Sequence, residues 1–511
     1  MTSYSASITS NAGSIAAYAK KMSQTGRTDM EITLDDHADG KTYTTFDTLT
    51  GQVLITAPHT SRFDSIQITL EGTARTYVDS LSPTAANSKT TAIHRFLKMV
   101  MPIQESEYPQ PRIAEAGRTY TFPYHFVIPD QLLPRSCSHT CTSDHVSEAH
   151  LQLPPSLGER ELSGGRSDMA PDMSQIQYAI RVKVVRHRES DGKDVMLVEG
   201  QKKIRVVPAV AEAAPLSVNV SEDQFVLSKT KSLKKGMFSG KLGKITVSAA
   251  QPGALILPSP STSDSKLATT MTTVQLRFDP HETSSRPPRL GALGTKIKAS
   301  TFFAVRPTSS IPTHRNAQSQ FEITRGVYDS SVSLSSRCVE SVQWTEHKPT
   351  SRRGSESSDG SYVSSDFSDS SEHFIPKSNS GYYTASILVP ITLPSNKTWV
   401  PTFHNCVVSR IYILNLALSI HTPGAGVPAS NVSLHIPLQI AAAGNQTHRP
   451  SLTAAEAALE LAEVNEFFRP RVLEVPSETM VGNSVLAHHA TELPPSYEDF
   501  SRAPRPIAGA C

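Results

Sequence analysis

Alternation of apolar and polar residues with a period of two is the feature of this sequence that most restricts its fold. The clearest segments are TYTFPYHFVI, residues 119–128, and IQYAIRVKVV, residues 176–185, and a shorter one contains Ile66, Ile68 and Leu70. Successive side chains of a β-strand point to opposite faces of a sheet, so this period places one face of each strand on a core. We therefore predict a chain made mainly of half-buried strands.

Dipeptides that favour turns separate the alternating segments, among them Thr50-Gly51, Glu71-Gly72 and Asp191-Gly192. Many short strands separated by such signals are typical of antiparallel β-sandwiches. The sequence has no regular alternation of strand and helix patterns, which disfavours a parallel sheet. Its 511 residues exceed what one ordinary core accommodates. The predicted fold class is therefore all-β, with two antiparallel β-sandwich domains of the immunoglobulin type.

The predicted domain boundaries follow the alternation along the chain. The pattern weakens near Pro208 and resumes as strands from Leu216 onward. We therefore place the first sandwich at residues 31–210 and the second at residues 211–441.

Three segments lack the alternation. Residues 1–30 form a polar tail, and residues 346–380, which contain SRRGSESSDGSYVSSDFSDSSE, have too little apolar surface to fold alone. We predict that both are disordered and that the second is a Ser-rich insert in the second sandwich. Residues 442–511 are predicted to begin with one helix and to continue as a Pro-rich tail.

Charge and cysteine content restrict the expected partners and cellular compartment of the protein. The chain has 49 Lys and Arg residues against 47 Asp and Glu residues, so no overall field favours nucleic acid. Its five cysteines are an odd number, which favours reduced thiols in the cytosol over a disulfide framework. The sequence begins without a secretory signal pattern, and the apolar stretch 407–420 is too short to span a bilayer. We therefore expect a cytoplasmic protein, and we predict that residues 407–420 form a buried strand.

The order of several strand segments resembles that of arrestins, and in particular of fungal arrestin-related (alpha-arrestin-like) trafficking adaptors. The segments that carry the resemblance are KTYTTFDTLTGQVLIT, FDSIQITLEG, TYTFPYHFVIPDQLLPRSCSH, HLQLPPSLG, QYAIRVKVV and WVPTFHNCVVSRIYILNLALSI. The resemblance covers residues 31–210 and, more thinly, residues 211–440. It implies two arrestin-like β-sandwiches joined by a short hinge, and an adaptor that links membrane cargo to a ubiquitin ligase. The Ser-rich insert departs from the compact arrestin pattern, and no residues match the polar core or phosphate sensor of visual arrestins.

The motif Pro494-Pro495-Ser496-Tyr497 near the C-terminus is a PPxY sequence. Two prolines fix φ near −65° and favour a polyproline II ridge, which the aromatic groove of a WW domain binds at low entropic cost. Tyr497 lies three positions after Pro494, one turn of that helix, so its ring falls on the same face. We assign Pro494, Pro495 and Tyr497 as ligase contacts and Leu493 as a flanking contact. The alternative is a solvated Pro-rich tail.

A lysine-rich segment, KTKSLKKGMFSGKLGK at residues 229–244, contains no acidic residue. It is compatible with a solvated loop or with contact to anionic lipid, where each lysine contributes about 1 kcal/mol. The family resemblance adds a third possibility, that these lysines accept ubiquitin. Lys231, Lys234 and Lys235 are the candidates for either functional role.

The Ser-rich insert contains Arg352-Arg353-Gly354-Ser355, a basic sequence of the kind that protein kinases recognise. Ser355, Ser357 and Ser358 are therefore predicted phosphorylation sites, each adding about −1.5 to −2 charges when modified. A phosphorylated insert that folds onto the lysine segment would be a regulatory switch. An unmodified spacer is the alternative.

Cysteine and histidine residues cluster at Cys137, His139 and Cys141, with His145 and His150 beyond them. These are zinc ligand types, but their spacing is not that of a standard zinc finger, and a Cys–His pair is also a feature of nucleophilic enzymes. The sequence has no G-x-S-x-G, phosphate-binding glycine loop or H-E-x-x-H motif. We therefore assign neither a metal, a cofactor nor an enzymatic activity from the sequence.

The expected function follows from the PPxY motif and the resemblance together. It is an adaptor that recruits a WW-domain ligase of the HECT type to plasma-membrane transporters or receptors and promotes their ubiquitination and endocytosis. Such a protein would act peripherally at the plasma membrane and endosomes and would not bind nucleic acid. The alternatives are a signalling arrestin for a membrane sensor, as in ambient-pH signalling, a sorting scaffold that does not need ubiquitin, and a metal-dependent enzyme built on Cys137 and Cys141.

Overall fold

The structure is a computed structural model that describes most of the chain between residues 28 and 445. The described ranges are 28–79, 89–218, 224–236, 240–260, 267–317, 324–348, 381–422 and 428–445. Strands dominate them, which confirms the prediction of an all-β chain. The two α-helices in these ranges are short: α1 is Asp144–Leu151 and α2 is His314–Ala317. Neither is long and apolar enough to cross a membrane.

The first half of the described chain forms two sheets around one core. Its strands are β1 (Asp29–Leu34), β2 (Thr42–Tyr43), β3 (Thr48–Thr56), β4 (Ser61–Arg62), β5 (Ser65–Asp79), β6 (Lys89–Met101), β7 (Ile113–Ala114), β8 (Thr119–Val127), β9 (Ser174–Arg188) and β10 (Lys193–Val206). The sheet orders are β1-β3-β8 and β2-β10-β9-β5-β6, and the short pair β4-β7 lies beside them. Most neighbours are antiparallel, whereas β2 and β10 run parallel.

The alternation predicted from the sequence is what fills this first core. Phe122, Tyr124 and Phe126 on β8 are each at most 3% exposed, and so are Ile68 on β5 and Ile180 on β9. Side chains of alternate residues therefore face inward from both sheets, as the period of two requires. Burial of this apolar surface supplies the main stabilising free energy.

The second half has a core of its own. Its strands are β11 (Ser228–Lys234), β12 (Lys241–Ala249), β13 (Leu255–Leu257), β14 (Thr269–Pro280), β15 (Arg289–Ala304), β16 (Arg325–Cys338), β17 (Thr345–His347), β18 (Tyr382–Thr392), β19 (Phe403–His404), β20 (Val408–His421), β21 (Ser430–Leu438) and β22 (Ile440–Ala442). The sheet orders are β11-β12-β14-β18-β17 and β16-β15-β20-β19, with β21 on β20 and a separate parallel pair β13-β22. Ile245, Phe278, Ile297, Leu414 and Ile436 are fully buried between them. The predicted strand at 407–420 corresponds to β20.

Residues from the second half also complete the first core. Val400, Phe403, Cys406, Val407 and Val408 are buried there, although the rest of β20 packs in the second core. The described residues belong to one compact unit, and this segment is one of the places where its two cores are joined.

Two of the predicted turns are wrong. Gly51 lies inside β3 and Gly72 inside β5, because each allows a close approach of neighbouring groups. A Cβ at Gly51 would overlap the carbonyl oxygen of Thr33, and one at Gly72 would overlap the ring of Phe96. The third predicted turn is confirmed, since Gly192 adopts a φ of +65° between β9 and β10.

Three predicted boundaries also need correction. Asp29 and Met30, assigned to the N-terminal tail, belong to β1, because the Met30 side chain packs on the first core. Glu346 and His347, assigned to the Ser-rich insert, belong to β17, where the His347 ring stacks on Tyr382 with centroids 4.6 Å apart. Ala442, assigned to the C-terminal tail, is the last residue of β22.

The strand predicted to begin at Leu216 is also absent from the residues that the structure describes there. Residues 216–218 lie outside the strands, and Leu216 is 57% exposed. Leu216 therefore contributes nothing to either core. The next strand among the described residues is β11, which begins at Ser228.

Candidate metal centre

Five side chains that carry a thiol or an imidazole meet beside the first core. Cys137 directly follows a 3₁₀ turn at Pro134–Ser136, and His139 and Cys141 lie in the loop beyond it. Cys406 comes from the turn between β19 and β20. This position places a cysteine of the second half of the chain against a loop of the first half.

The fifth side chain, His150, is held by helix α1, which the sequence did not predict. Ser143 caps that helix, its Oγ accepting a hydrogen bond from the backbone N–H of Val146 at 3.4 Å. His150 lies in the last turn and is 1% exposed. The helix therefore returns the chain to the loop that carries Cys137.

The ligand atoms of these side chains are close together. Cys137 Sγ lies 3.4 Å from His139 Nε2, 3.6 Å from His150 Nδ1 and 3.8 Å from Cys141 Sγ. Cys141 Sγ lies 3.8 Å from His150 Nδ1. The residues whose ligand atoms all lie within 4.8 Å of one another are Cys137, His139, His150 and Cys406. Cys141 stands beside this group of four.

Backbone contacts fix the loop on which Cys137 lies. Ser136 Oγ donates a hydrogen bond to the carbonyl oxygen of Phe96 at 2.8 Å, and His94 Nε2 lies 3.0 Å from the carbonyl oxygen of Ser136. The Sγ of Cys406 lies 3.9 Å from that same carbonyl. On the other side, the backbone N–H of Thr308 donates to the carbonyl oxygen of Cys406 at 2.8 Å. Strand β6 therefore positions the loop of Cys137, and the segment that follows β15 positions Cys406.

Burial keeps the imidazole of His150 neutral and the thiol of Cys406 protonated when no metal is bound. Desolvation, aided by His139 and His94, lowers the pKa of His150 to about 4. Desolvation also lowers the pKa of His404, aided by His150 and His145, to about 4. Desolvation and the neighbouring Cys137 raise the pKa of Cys406 to about 12. Neutral imidazole is the form that binds a metal, whereas each thiol must release its proton on binding.

The arrangement is better suited to metal binding than to nucleophilic catalysis. Considered by themselves, Cys137 and His139 have the separation of a catalytic thiol–imidazole pair. A nucleophile needs one base, however, and here Cys406, His150 and Cys141 surround the same sulfur. The sequence presented four of these five residues but gave no sign of Cys406, which lies 270 residues beyond Ser136.

The residues that the sequence assigned to ligase binding and phosphorylation lie outside the described part of the chain. They are Leu493, Pro494, Pro495, Tyr497, Ser355, Ser357 and Ser358.

The candidate lysines lie mainly on strands, so the solvated-loop interpretation is wrong for most of the lysine segment. Lys231 and Lys234 are on β11, which is the edge of its sheet, and Lys235 follows directly. Lys231 Nζ donates to the carbonyl oxygen of Asn431 at 3.2 Å, and Lys235 Nζ lies 3.3 Å from Glu282 Oε2. Lysines on an edge strand also oppose unwanted pairing with other chains.

A second polar cluster resembles a catalytic triad in composition but not in geometry. His314 Nε2 lies 3.3 Å from Ser300 Oγ and 3.1 Å from Asp329 Oδ1, so one nitrogen contacts both partners. A triad instead uses the two different ring nitrogens. Ser300 is also fully buried and donates directly to Asp329 at 2.6 Å. We interpret this cluster as structural.

The cluster predicts a pH-dependent contribution of Asp329 to stability. Burial opposes ionisation of its carboxyl, but hydrogen bonds from His314 and Ser300 and the charge of Lys298 outweigh it and hold the pKa of Asp329 well below its usual range. A lowered pKa stabilises the fold above the unfolded pKa, near 4, and this contribution is lost as pH falls. Asp329→Asn should therefore lower the free energy of unfolding at pH 7 by about 1 kcal/mol or less, because solvent screens this partly exposed group.

The measurement is urea unfolding of the wild type and Asp329→Asn at pH 7 and at pH 2, because the contribution is lost only as pH falls below the unfolded pKa near 4 towards the lowered folded pKa. The difference between the two proteins should shrink towards the lower pH. Asp191→Asn is a matched control, since that carboxylate lies on an exposed turn and pairs with Arg188 across only three residues. An equal difference for Asp329→Asn at both pH values would contradict the interpretation.

Comparison with known proteins adds no family to these observations. No family model matches the chain, and no curated protein matches it in sequence.

Proposed function

We propose that this protein is a non-enzymatic adaptor of the arrestin-like type, with two β-sandwich domains and a C-terminal ligase-binding motif. The observation that carries the proposal is the sequence Leu493-Pro494-Pro495-Ser496-Tyr497. Its prolines favour the polyproline II conformation that WW domains bind, and its tyrosine falls on the same face of that helix. The partner is a ligase of the HECT type that contains WW domains.

The all-β architecture supports the other half of the proposal, binding of cargo. Long antiparallel strands around two cores offer wide faces and edges to a protein partner. The cargo is a plasma-membrane transporter or receptor, so the adaptor acts from the cytoplasm at the plasma membrane and endosomes. Tethering the ligase raises its effective concentration at the cargo lysines, which accelerates ubiquitination without any catalytic group in the adaptor.

The accessible lysines of the adaptor are candidates for its own ubiquitination or for contact with anionic lipid. Lys234 and Lys235 are exposed on and just after the edge strand β11, whereas Lys231 is partly buried and hydrogen-bonded to a backbone carbonyl. We therefore rank Lys234 and Lys235 ahead of Lys231. Phosphorylation of Ser355, Ser357 and Ser358 would add negative charge that attracts such lysines.

Binding of a peptide spanning residues 488–504 to purified WW domains of a HECT-type ligase tests the motif. The wild-type peptide should bind with a Kd in the micromolar range, near −8 kcal/mol. Tyr497→Ala should weaken binding at least about tenfold, because it removes the ring that fills the groove. Ser496→Ala is the matched control, since it changes the variable position of the motif and should leave binding intact.

The same substitutions in the full chain connect binding to function. Tyr497→Ala should reduce cargo ubiquitination in cells, and Ser496→Ala should not. Equal cargo ubiquitination in both variants would favour a sorting scaffold that acts without ubiquitin. Loss of signalling from a membrane sensor, with normal transporter turnover, would favour a signalling arrestin.

A further inference from the structure

The geometry points to a structural zinc site formed by Cys137, His139, His150 and Cys406. The site is independent of ligase binding, so a negative result for zinc would leave the proposed function untouched, and the reverse also holds. Its role is to fasten the turn before β20 to the loop before α1.

Two distances between ligand atoms match the edges of a tetrahedron around zinc, and all four atoms lie within 4.8 Å of one another. Zinc binds thiolate sulfur at about 2.3 Å and imidazole nitrogen at about 2.0–2.1 Å, which places two bound sulfurs about 3.8 Å apart and a sulfur and a nitrogen about 3.5 Å apart. Cys137 Sγ lies 3.4 Å from His139 Nε2 and 3.6 Å from His150 Nδ1. The cluster therefore needs little movement to enclose the ion.

The ligand types select the metal. Two thiols and two imidazoles form the group, and no carboxylate belongs to it. Soft sulfur and imidazole nitrogen in a tetrahedral set favour zinc, whereas magnesium and calcium prefer oxygen ligands. Four protein ligands leave no open position for substrate, which is the composition of a structural site.

Burial of the four side chains favours binding of an ion. His150 and Cys406 are each 1% exposed, and Cys137 and His139 are partly buried. Their polar contacts include weak sulfur–nitrogen contacts from Cys137 to His139 and to His150. Buried polar groups are costly when poorly satisfied, and one ion would satisfy the four ligand atoms together.

The position of the site in the chain explains what the ion would stabilise. Cys406 belongs to the first core, and Leu414, farther along β20, belongs to the second. An ion held by Cys406, by the loop before α1 and by His150 on α1 would therefore cross-link two distant parts of the sequence. This link lies next to the place where the two cores are joined. Because these ligands meet only in the folded chain, the free energy of binding the ion stabilises the fold.

Metal content of the full-length protein, purified under reducing conditions from zinc-supplemented medium, tests the proposal. Elemental analysis should find about one zinc per chain after extensive dialysis. Cobalt(II) substituted for zinc should show the intense visible bands of a tetrahedral ion and a thiolate charge-transfer band in the ultraviolet. The cobalt spectrum requires no variant, so it remains informative if the variants fold poorly.

Single substitutions then identify the ligands. Cys406→Ser and His150→Gln should each lower zinc content at least tenfold. Cys338→Ser is the matched control, because Cys338 is an exposed free cysteine on β16, far along the chain from the cluster. His139→Gln and Cys141→Ser decide which side chain completes the tetrahedron, and the proposal expects loss of zinc only in the former.

Several results would overturn the proposal. Wild-type protein without bound zinc, or with the cobalt spectrum of an ion bound only by oxygen, would exclude the site. Stoichiometric zinc in Cys406→Ser would exclude the cross-link between the two parts of the chain. Loss of zinc in Cys141→Ser with normal zinc in His139→Gln would replace His139 by Cys141 as the fourth ligand.

Discussion

Replacement of Arg410 by alanine should lower the free energy of unfolding by about 3–5 kcal/mol, a large fraction of the stability of a typical protein. Arg410 on β20 is fully buried. Its Nε donates to Thr301 Oγ1 at 2.9 Å and its Nη1 donates to the carbonyl oxygen of Asp168 at 3.0 Å. Alanine would leave both acceptors buried without this donor, at about 1–3 kcal/mol each, and would open a cavity beside Tyr412.

The Arg410 contacts also connect the two halves of the chain. Asp168 lies in the loop before β9, and its own carboxylate is already used by the backbone N–H groups of Gly158 and Ala170. Loss of Arg410 would therefore remove its hydrogen bond between β20 and that loop, although the loop keeps the packing of Met169 in the second core. Urea unfolding followed by fluorescence measures the effect, with Arg186→Ala on the exposed end of β9 as the control, expected to change stability by less than about 0.5 kcal/mol. Equal stability of the two variants would contradict the assigned role.

The strands were predictable from the sequence because their pattern is local. In residues 119–128, alternate side chains are apolar, and the structure buries Phe122, Tyr124, Phe126 and Ile128 in the first core. The residues of β20 likewise read as a buried strand. Each inference needed only neighbouring residues and the geometry of an extended chain.

The failed turn predictions show where local rules stop. Glycine is typical of turns, but Gly51 and Gly72 lie within long strands because side chains and backbone from elsewhere leave no space for a Cβ. The sequence shows where a glycine is, but it does not show which distant group packs against that glycine. Pairing of β2 with β10 is similarly non-local, since Tyr43 and Val206 are far apart in the chain.

Part of the candidate metal site could be predicted from local sequence, and part could not. Cys137, His139, Cys141 and His150 drew attention by their residue types, but their spacing matched no standard zinc finger. The spacing rule fails here because Cys406 comes from the other half of the chain and reaches the cluster only through the fold. A site whose ligands come from distant segments has no fixed spacing for a motif to describe.

Removal of zinc should lower the midpoint of thermal unfolding of the reduced protein. A ligand present at a thousand times its Kd stabilises the folded state by about 4 kcal/mol. For a cooperative unit of several hundred residues this corresponds to a shift of roughly 5 °C. Calorimetry of the wild type with and without a strong zinc chelator measures it.

Two cysteine variants show whether the shift in the midpoint of thermal unfolding comes from zinc at the proposed site. Cys406→Ser should unfold at a lower temperature than the wild type and should not respond to the chelator, because it has already lost the cross-link between the turn before β20 and the loop before α1. Cys338→Ser should respond as the wild type does, since its thiol is exposed on β16. An equal response of Cys406→Ser and Cys338→Ser would place the zinc elsewhere. Stabilisation that depends on Cys406 but not on Cys338 would show that the ion acts through the contact between the two cores, because Cys406 is the ligand that the second half contributes.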